Sequence, residues 1–382
     1  MMSFSEATQK YESWLARVVP APLVRTDLDY KHQLLADQAD PFPFFRGTYY
    51  RWAQHWAELA GPLAAAHRVL AVGDLHIENF GTWRDADGRL GWGVNDFDEV
   101  DELPYTNDLI RLAASIRFAR KAGVLDIKFG AGCEAILEGY RECLKAGGRP
   151  FVLEEHHPYL RTVAMAADRD PVKFWEKMTK LLADTPANPP AEAQSAIETV
   201  FPIGGLRVEY RSRLRVGVGS LGRPRYVALA EWMGGWICRE AKAFASPASS
   251  WATGVEGPIE CKAAEAVAGA IRSPDPFYRP GKRWVVRRLG PRSSRIELDH
   301  LQASDAGRIL HAMGAETANV HLATPGSATP VLTDLASRKA GWLADAAKAL
   351  SEILEADWKE WQLSWSAGHS APASKSDGIP GE

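Results

Sequence analysis

The spacing of hydrophobic positions changes several times along the chain, and each change predicts a different element. In the first sixty residues apolar positions recur at helical spacing, until the prolines of PFPFFRGTYYRW (41–52) interrupt the pattern. VLAV (69–72) is typical of a buried strand, and GDLHIENFG (73–81) is typical of a loop. The apolar runs on either side of DADG (85–88) predict a hairpin, and a helix that ends near Gly123 follows.

The pattern changes again after a proline-rich segment. Residues 127–184 predict two or three helices, and DTPANPPAEA (184–193) contains too much proline to continue one. Between 207 and 216 four arginines alternate with apolar or small residues, which indicates a half-buried strand with a solvated arginine face (Arg207, Arg211, Arg213 and Arg215). YVALAEW and WICRE predict two more strands around a turn at Gly234 and Gly235.

The last third of the chain mixes helices and one strand. We predict a helix over 258–272, a strand over 282–289, a helix over 306–322 and a long helix over 333–364. The prediction is an α+β protein with two lobes. Its parts are a mostly helical lobe over 1–205, a small β-rich lobe over 206–300, helices over 301–365 that return to the first lobe, and a disordered tail over 366–382.

Charge and composition argue against a nucleic-acid-binding or a membrane-spanning protein. The net charge of -3 gives no general attraction to nucleic acid, and no apolar run is long enough to cross a membrane. Cys133, Cys143, Cys238 and Cys261 form no CxxC pair, which is typical of buried thiols in a reducing compartment. A cytoplasmic protein that binds neither nucleic acid nor membrane is the expectation.

Acidic and amide side chains follow two predicted strands at a spacing that suits phosphoryl transfer. Asp74 and Asn79 are five residues apart in the first loop, and Asp96 follows the hairpin. In this chemistry one carboxylate accepts the hydroxyl proton, while an amide and a second carboxylate hold Mg²⁺. Asp74 is the predicted base, Asn79 and Asp96 are the predicted metal ligands, and Asp98 is the alternative ligand. The supporting candidates are His76 and Asp108, and Asp108 either braces the loop or complements a helix dipole.

The segment GVGSLG provides a candidate phosphate-binding loop. Its members are Gly217, Gly219, Ser220 and Gly222. A GxGxxG run that opens a helix would indicate a dinucleotide-binding fold. Here Pro224 and a β-rich run follow, which favours a strand, a loop and a strand, as in the loop that covers ATP phosphates in kinases.

A cation on the third strand of this lobe would complete the nucleotide site. Arg239 is the first candidate and Lys242 the alternative, and Arg239 is predicted to enter the cleft and pair with Glu260 or Glu265. Arginine presents a planar fork where lysine presents a point charge, so Arg239 also raises the prospect of a site without transfer activity.

Several segments together resemble one bacterial family, domain of unknown function 2252. They are FPFFRGTYYRW, GDLHIENFG, NDFDE, the stretch 104–115, GVGSLG and the triplet at 239–241, and the resemblance spans most of 40–322. The family is grouped with protein kinases and aminoglycoside phosphotransferases. Membership implies a two-lobed fold, ATP, Mg²⁺ and a lysine at the position of Arg239. Because the acidic loops precede the glycine-rich loop, the fold is expected to be a circularly permuted kinase fold.

The expected function is ATP- and Mg²⁺-dependent phosphotransfer to a hydroxyl of an unassigned small molecule or protein. The first alternative is a nucleotide-binding module with little or no transfer activity. Nucleotidyl transfer and metallophosphoester hydrolysis are further alternatives, although the paired ligands of a two-metal hydrolase are missing from the sequence. Arg46 is a candidate for either a salt bridge or a phosphate contact.

Overall fold

The protein has an α+β fold built from helices and small antiparallel sheets. The computed structural model describes residues 2–37, 41–153, 157–164, 170–182, 185–202, 206–293 and 303–369. Its helices are α1 (Phe4–Val18), α2 (Arg25–Asp37), α3 (Phe42–Gly47), α4 (Tyr49–Leu59), α5 (Tyr105–Lys121), α6 (Phe129–Ala146), α7 (Pro158–Ala164), α8 (Pro171–Leu182), α9 (Ala191–Glu198), α10 (Ala248–Ala252), α11 (Ala263–Gly269), α12 (Ala306–His321), α13 (Ala328–Ser337) and α14 (Trp342–His369). Its strands are β1 (Arg68–Ala71), β2 (Phe80–Arg84), β3 (Leu90–Val94), β4 (Asp101–Pro104), β5 (Phe151–Val152), β6 (Glu209–Ser212), β7 (Arg225–Trp232), β8 (Gly235–Ala243), β9 (Arg279–Pro280) and β10 (Trp284–Leu289).

Helix α5 lies at the centre of the helical core and supports the first acidic loop, residues 72–79, which follows β1. Almost all of its residues are buried, including the polar residues Asp108 and Arg111. A charged residue is seldom fully buried unless it has a partner. Both side chains therefore indicate that α5 positions other groups as well as filling the core.

Helices α6 and α12 cross closely because each presents a glycine at the contact. A Cβ atom on Gly139 would collide with the carbonyl oxygen of His311, and one on Gly314 would collide with that of Ile136. The crossing fixes the position of α12, whose buried Glu316 accepts a hydrogen bond from the backbone N–H of Val94 (3.2 Å). The second acidic loop, residues 95–100, begins at the end of β3. This end of β3 is thereby fixed to the helical core.

The largest sheet has five antiparallel strands in the order β6, β7, β8, β10, β9. The predicted turn at Gly234 and Gly235 is confirmed, and so is the hairpin of β2 and β3. Helix α9 covers one face of the sheet, where Ile197 and Val200 join a cluster with Ala241 and Trp284. The opposite face is turned towards the two acidic loops.

Several predicted elements differ in extent from the observed ones. Strand β6 is shorter than the predicted 207–216, and α11 is shorter than the predicted 258–272. The single helix expected over 333–364 is two helices, because Arg338 is extended and Gly341 has a left-handed φ of 77°. The tail was predicted to begin at 366, but α14 continues to His369, and residues 370–382 lie outside the described residues.

Part of the proline-rich segment before α9 runs along the outer edge of β6 and bonds to its backbone. Ala187 donates a backbone hydrogen bond to Tyr210 (3.1 Å), and Ser212 donates one to Thr185 (2.8 Å). Separately, the four cysteines are unpaired and buried, as predicted. Within the described residues, every helix is too short or too polar to span a membrane.

Candidate active site

A cleft of about 640 Å³ lies between the five-stranded sheet and the loops that follow β1 and β3. Segments from many parts of the chain contribute to it. The predicted site residues that line it are Arg46, Asp74, His76, Asn79, Asp96, Asp98, Gly217, Gly219 and Ser220. Lys242 reaches the same acidic residues through ion pairs. Arg239, Gly222 and Asp108 are absent from the lining, each for a different reason given below.

Asp74 lies at the end of β1 and is held by Arg111 of α5. The Nε of Arg111 donates to Oδ1 of Asp74 (2.8 Å), while the guanidinium lies over the ring of Phe45 (4.2 Å to the ring centroid). Burial raises the pKa of Asp74 above its ordinary value, and Arg111 opposes this shift. A fixed carboxylate with a raised pKa is suited to accepting a proton.

Asp108 braces the backbone in front of Asp74. Its carboxylate accepts hydrogen bonds from the backbone N–H groups of Val72 (2.6 Å) and Gly73 (3.0 Å). His321 of α12 bonds the same carboxylate (3.0 Å) and reaches Tyr140 through its other ring nitrogen (2.8 Å). Asp108 therefore has the contacts of the bracing interpretation and lies beneath the cleft.

Asn79 and His76 close a tight turn in the first acidic loop. The side-chain oxygen of Asn79 accepts from the backbone N–H of His76 (2.7 Å), and Nδ1 of His76 accepts from the backbone N–H of Glu78 (3.2 Å). The backbone oxygen of Asn79 accepts from Asn95 (2.9 Å), next to Asp96. The turn thus fixes Asn79 relative to the second acidic loop.

Asp96 and Asp98 share Lys242 of β8. The Nζ of Lys242 lies 3.5 Å from Oδ1 of Asp96 and forms a shorter ion pair with Asp98. Burial favours the neutral form of Asp96, but Lys242, Arg287 and Arg225 outweigh it and hold its pKa at about 2. Burial and the charge of Asp96 raise the pKa of Asp98. Asp96 is the more exposed of the two, with 41% of its side chain accessible.

The prediction that Arg239 enters the cleft is wrong, and Lys242 is the cation of β8 that pairs with the acidic residues there. Side chains alternate along a strand, so residues 239 and 242 lie on opposite faces of β8. Arg239 donates to the backbone oxygen of Val200 (3.0 Å) and lies over the ring of Phe277 (4.4 Å to the ring centroid).

The predicted acidic partners of Arg239 lie elsewhere. Glu260 pairs with the exposed Lys282 (3.7 Å), and Glu265 is exposed. Arg239 makes no ion pair with any residue that the structure describes.

The glycine-rich loop joins β6 to β7, as the strand–loop–strand prediction requires. Gly217 has a left-handed φ of 73°, and Ser220 receives a hydrogen bond from Arg225. At Gly219 a Cβ atom would lie 3.1 Å from the backbone oxygen of Arg46 and 3.5 Å from Oδ2 of Asp74. The loop therefore reaches the candidate base. Gly222 is directed away from the cleft, because a Cβ atom there would collide with Leu28 of α2.

A cluster of arginines around one glutamate was missed by the sequence reasoning. Glu240 of β8 is fully buried and accepts hydrogen bonds from Arg213 (2.6 Å), Arg225 (3.2 Å) and Arg287 (2.8 Å). Although burial opposes ionisation, these cations hold the pKa of Glu240 well below its ordinary value. Glu240 is the shared hydrogen-bond acceptor of these three arginines, and Arg287 and Arg225 also act on the carboxylate of Asp96. Residues 240 and 242 are two apart on β8 and therefore lie on the same face of the sheet. This spacing is the sequence signal that could have revealed the cluster.

Two further ion pairs organise the ends of the cleft. Arg46 pairs with Glu78 (2.7 Å), which gives it the salt-bridge contact that the sequence left open. Arg223 donates to Glu99 (2.6 Å), whose other oxygen accepts from the backbone of Ala248 (2.7 Å). Burial raises the pKa of Glu99 to about 7, and Arg223 opposes this shift. Arg111, Arg223 and Glu99 were also missed in the sequence.

The acidic residues can hold a divalent cation together with a phosphate ligand. Oδ1 of Asp98 is buried without a hydrogen-bond partner among the described residues, and the low pKa of Asp96 keeps that carboxylate ionised. Among those residues no three His, Cys, Asp or Glu side chains are arranged as a complete metal site. Mg²⁺ is commonly held by one or two carboxylates and substrate phosphates, so the donor set fits it.

Comparisons with known proteins identify one family. The family described as "Uncharacterized protein conserved in bacteria (DUF2252)" matches residues 24–235, more than half of the chain. The match includes both acidic loops and the glycine-rich loop and ends before the triplet at 239–241. Comparisons with curated proteins and with solved structures found no match. The chain therefore belongs to the DUF2252 family of bacterial proteins.

Proposed function

We propose that this protein is an ATP- and Mg²⁺-dependent phosphotransferase that acts on a hydroxyl group. One observation carries the proposal: the loop between the first two strands of the sheet reaches Asp74, and Lys242 of the third strand reaches Asp96 and Asp98. A phosphate-covering loop, a strand lysine, a base and metal-binding acids are the parts that phosphoryl transfer in kinases uses.

The proposed fold is a two-lobed, circularly permuted kinase-like fold. Both acidic loops precede the five-stranded sheet in the chain, although the two regions share one cleft. Connections can be rearranged in this way where chain ends lie at the surface. The order of the elements supports permutation, and the shared cleft supports a common nucleotide site.

In the proposed reaction Asp74 is the proton acceptor. The acceptor hydroxyl oxygen attacks the γ-phosphorus of ATP, the bond from that phosphorus to the β–γ bridging oxygen breaks, and ADP leaves. The hydroxyl proton passes to Asp74, whose geometry is maintained by Arg111 and by the braced backbone. Positioning and charge stabilisation supply most of the rate in such reactions.

The remaining side chains bind and orient the nucleotide. The glycine-rich loop, Lys242 and Arg225 would contact its phosphates. Asp96, Asp98 and Asn79 would hold Mg²⁺, which neutralises charge on the phosphates when bound. The alternative of a site without transfer activity was based on Arg239, and the ion pairs of Lys242 with Asp96 and Asp98 support transfer activity instead.

The test is to identify the product and then to remove the base. Incubation with ATP, Mg²⁺ and a set of hydroxyl-bearing acceptors should release ADP; release of pyrophosphate would instead indicate nucleotidyl transfer. Asp74→Asn should lower the rate by about 10²–10⁴-fold, because proton acceptance is lost, while ATP still binds.

Exposed Asp126 provides the matched control, because Asp126→Asn makes the same substitution outside the cleft. Its rate should equal that of the wild-type protein. An Asp74→Asn variant with the wild-type rate would contradict the assignment of the base.

A further inference from the structure

One face of α2 is turned towards the glycine-rich loop. Leu28 and Leu35 lie seven residues apart on it, and Lys31 lies between them at the spacing that keeps all three on one side of a helix. A Cβ atom on Gly222 would collide with the side chain of Leu28, and a Cβ atom on Gly47 would lie 3.0 Å from the side chain of Leu35. Lys31 therefore lies between the two leucines on the side of α2 that faces the loop, and Asp74 is one of the carboxylates whose charge acts on it.

Lys31 is buried there without a polar partner. Only 6% of the residue is exposed, and it makes no hydrogen bond or ion pair with the residues that the structure describes. Its Nζ lies 5.9 Å from the ring centroid of Tyr50, which stacks on Tyr11 at 4.3 Å. Both tyrosines line the cleft, together with Tyr49. An ammonium group that is buried and unpaired costs stability unless a ligand provides the opposite charge.

The nearby carboxylates already have other partners. Asp74 is bonded to Arg111, and Glu99 is bonded to Arg223.

Glu12 accepts a hydrogen bond from His32 (2.6 Å) if the proton lies on that ring nitrogen, so it also has a partner. Burial lowers the pKa of Lys31 to about 8, and Glu12 opposes the shift most strongly, so the ammonium form still prevails at neutral pH. Lys31 therefore forms no direct ion pair with a carboxylate of the described residues, although the charge of Glu12 favours its ammonium form.

We propose that Lys31 and the wall of Tyr11, Tyr49 and Tyr50 form an anion site beside Asp74, which takes a phosphoryl or carboxylate group. This inference rests on the proposed function for its role. The group belongs either to a small anionic acceptor whose hydroxyl faces Asp74 or to the terminal phosphate of the nucleotide. Lys31 positions that group and takes no part in proton transfer.

The experiment measures binding of inorganic phosphate by isothermal titration calorimetry to the full-length protein in three states: without nucleotide, with Mg·ADP, and with a Mg-bound non-hydrolysable ATP analogue. We expect phosphate to bind with Mg·ADP present, and Lys31→Met to weaken that binding at least tenfold while the affinity for ADP stays unchanged. Binding that persists with the ATP analogue assigns the site to the acceptor. Binding that the analogue abolishes assigns it to the terminal phosphate.

The controls distinguish loss of the anion site from misfolding of the variant and from failure of the proposed function. Lys10→Met changes an exposed lysine of α1 and should leave phosphate binding unchanged, and Lys31→Arg should restore part of it. Unfolding curves of each variant check the fold. Phosphate binding that is absent in all three states, or equal in Lys31→Met and the wild-type protein, would overturn the anion site. A failure to bind either nucleotide would overturn the proposed function, while the titration without nucleotide would still test the site.

Discussion

The two faces of the five-stranded sheet have different chemistry, although they come from the same strands. The face towards the cleft carries Arg225, Glu240, Lys242 and Arg287, whose charges contact one another or the acidic loops. The face towards α9 is mainly apolar; it carries Arg239 and Arg288, which both lie over the ring of Phe277, and Arg239 also bonds backbone oxygens. A charged residue on this sheet therefore takes its role from the face on which it lies.

The difference also explains how the arginines are tolerated. On the cleft face Glu240 provides a shared counter-charge for three guanidinium groups. On the other face burial lowers the pKa of Arg239 to about 10, with Arg288 adding to the shift. On the cleft face the arginines contact carboxylates, whereas Arg239 fills space and satisfies backbone oxygens.

The largest expected effect comes from removing the shared counter-charge of the cleft face. Glu240→Gln leaves the buried Arg225 and the half-buried Arg213 and Arg287 without their shared carboxylate, so we expect the free energy of unfolding to fall by about 3–5 kcal/mol. Urea denaturation measures this loss.

Glu209→Gln is the control for Glu240→Gln, because Glu209 pairs with Arg211 at the surface (2.8 Å). Such pairs contribute at most about 1 kcal/mol. Similar losses in the two variants would show that the arginine cluster does not depend on Glu240.

The second prediction compares the two cations of β8 directly. Lys242→Met should weaken ATP binding at least tenfold, which corresponds to about 1.4 kcal/mol, because the acidic loop loses its strand lysine. Arg239→Met should leave ATP affinity within about twofold and lower only the thermal stability, because its contacts are structural. Titration calorimetry and thermal unfolding separate the outcomes. The reverse pattern would reassign the cleft cation to Arg239.

The smallest expected effect is on acid stability. The pKa of Asp96 in the folded protein is about 2, below its ordinary value, so its contribution to stability is present above about pH 4 and is lost as the pH falls towards 2. Asp96→Asn should flatten the dependence of unfolding free energy on pH in this window. Lys242→Met should flatten it partly, because Lys242 is the main cation that lowers this pKa.

Arg239→Met provides the control for the acid-stability prediction, because Arg239 is not among the cations that lower the pKa of Asp96. Urea denaturation at intervals between pH 2 and 5 would measure all three variants. Equal flattening in Lys242→Met and Arg239→Met would contradict the difference between the two faces.

Local sequence patterns predicted the secondary structure best where chemistry and spacing agree. The hairpins around residues 85–88 and around Gly234 follow from turn residues between apolar runs. The extents of α11 and α14 were predicted less well, because a local pattern does not reveal where tertiary contacts end a helix. Gly341 breaks the last helical segment at a position where the apolar spacing continues.

For the candidate site, the sequence identified the residues that belong to short local motifs. Asp74, Asn79, Asp96 and the glycine-rich loop follow strands at spacings that suit phosphate chemistry, and they line one cleft. Arg111 and Lys31 were missed because each lies inside an ordinary helical pattern. A buried cation on a helix has no local signature, since its partner lies far away in the sequence.

The sequence by itself determined the α+β class, the hairpins around residues 85–88 and Gly234, and which acidic and glycine-rich motifs belong together chemically. Only the tertiary structure decided which face of β8 meets the acidic loops, and therefore that Lys242 rather than Arg239 pairs with Asp96 and Asp98. The physical reason is that alternation along a strand assigns the side chains to two faces of the sheet. It does not determine which element packs on which face. Packing of α9 on one face and of the acidic loops on the other makes that choice.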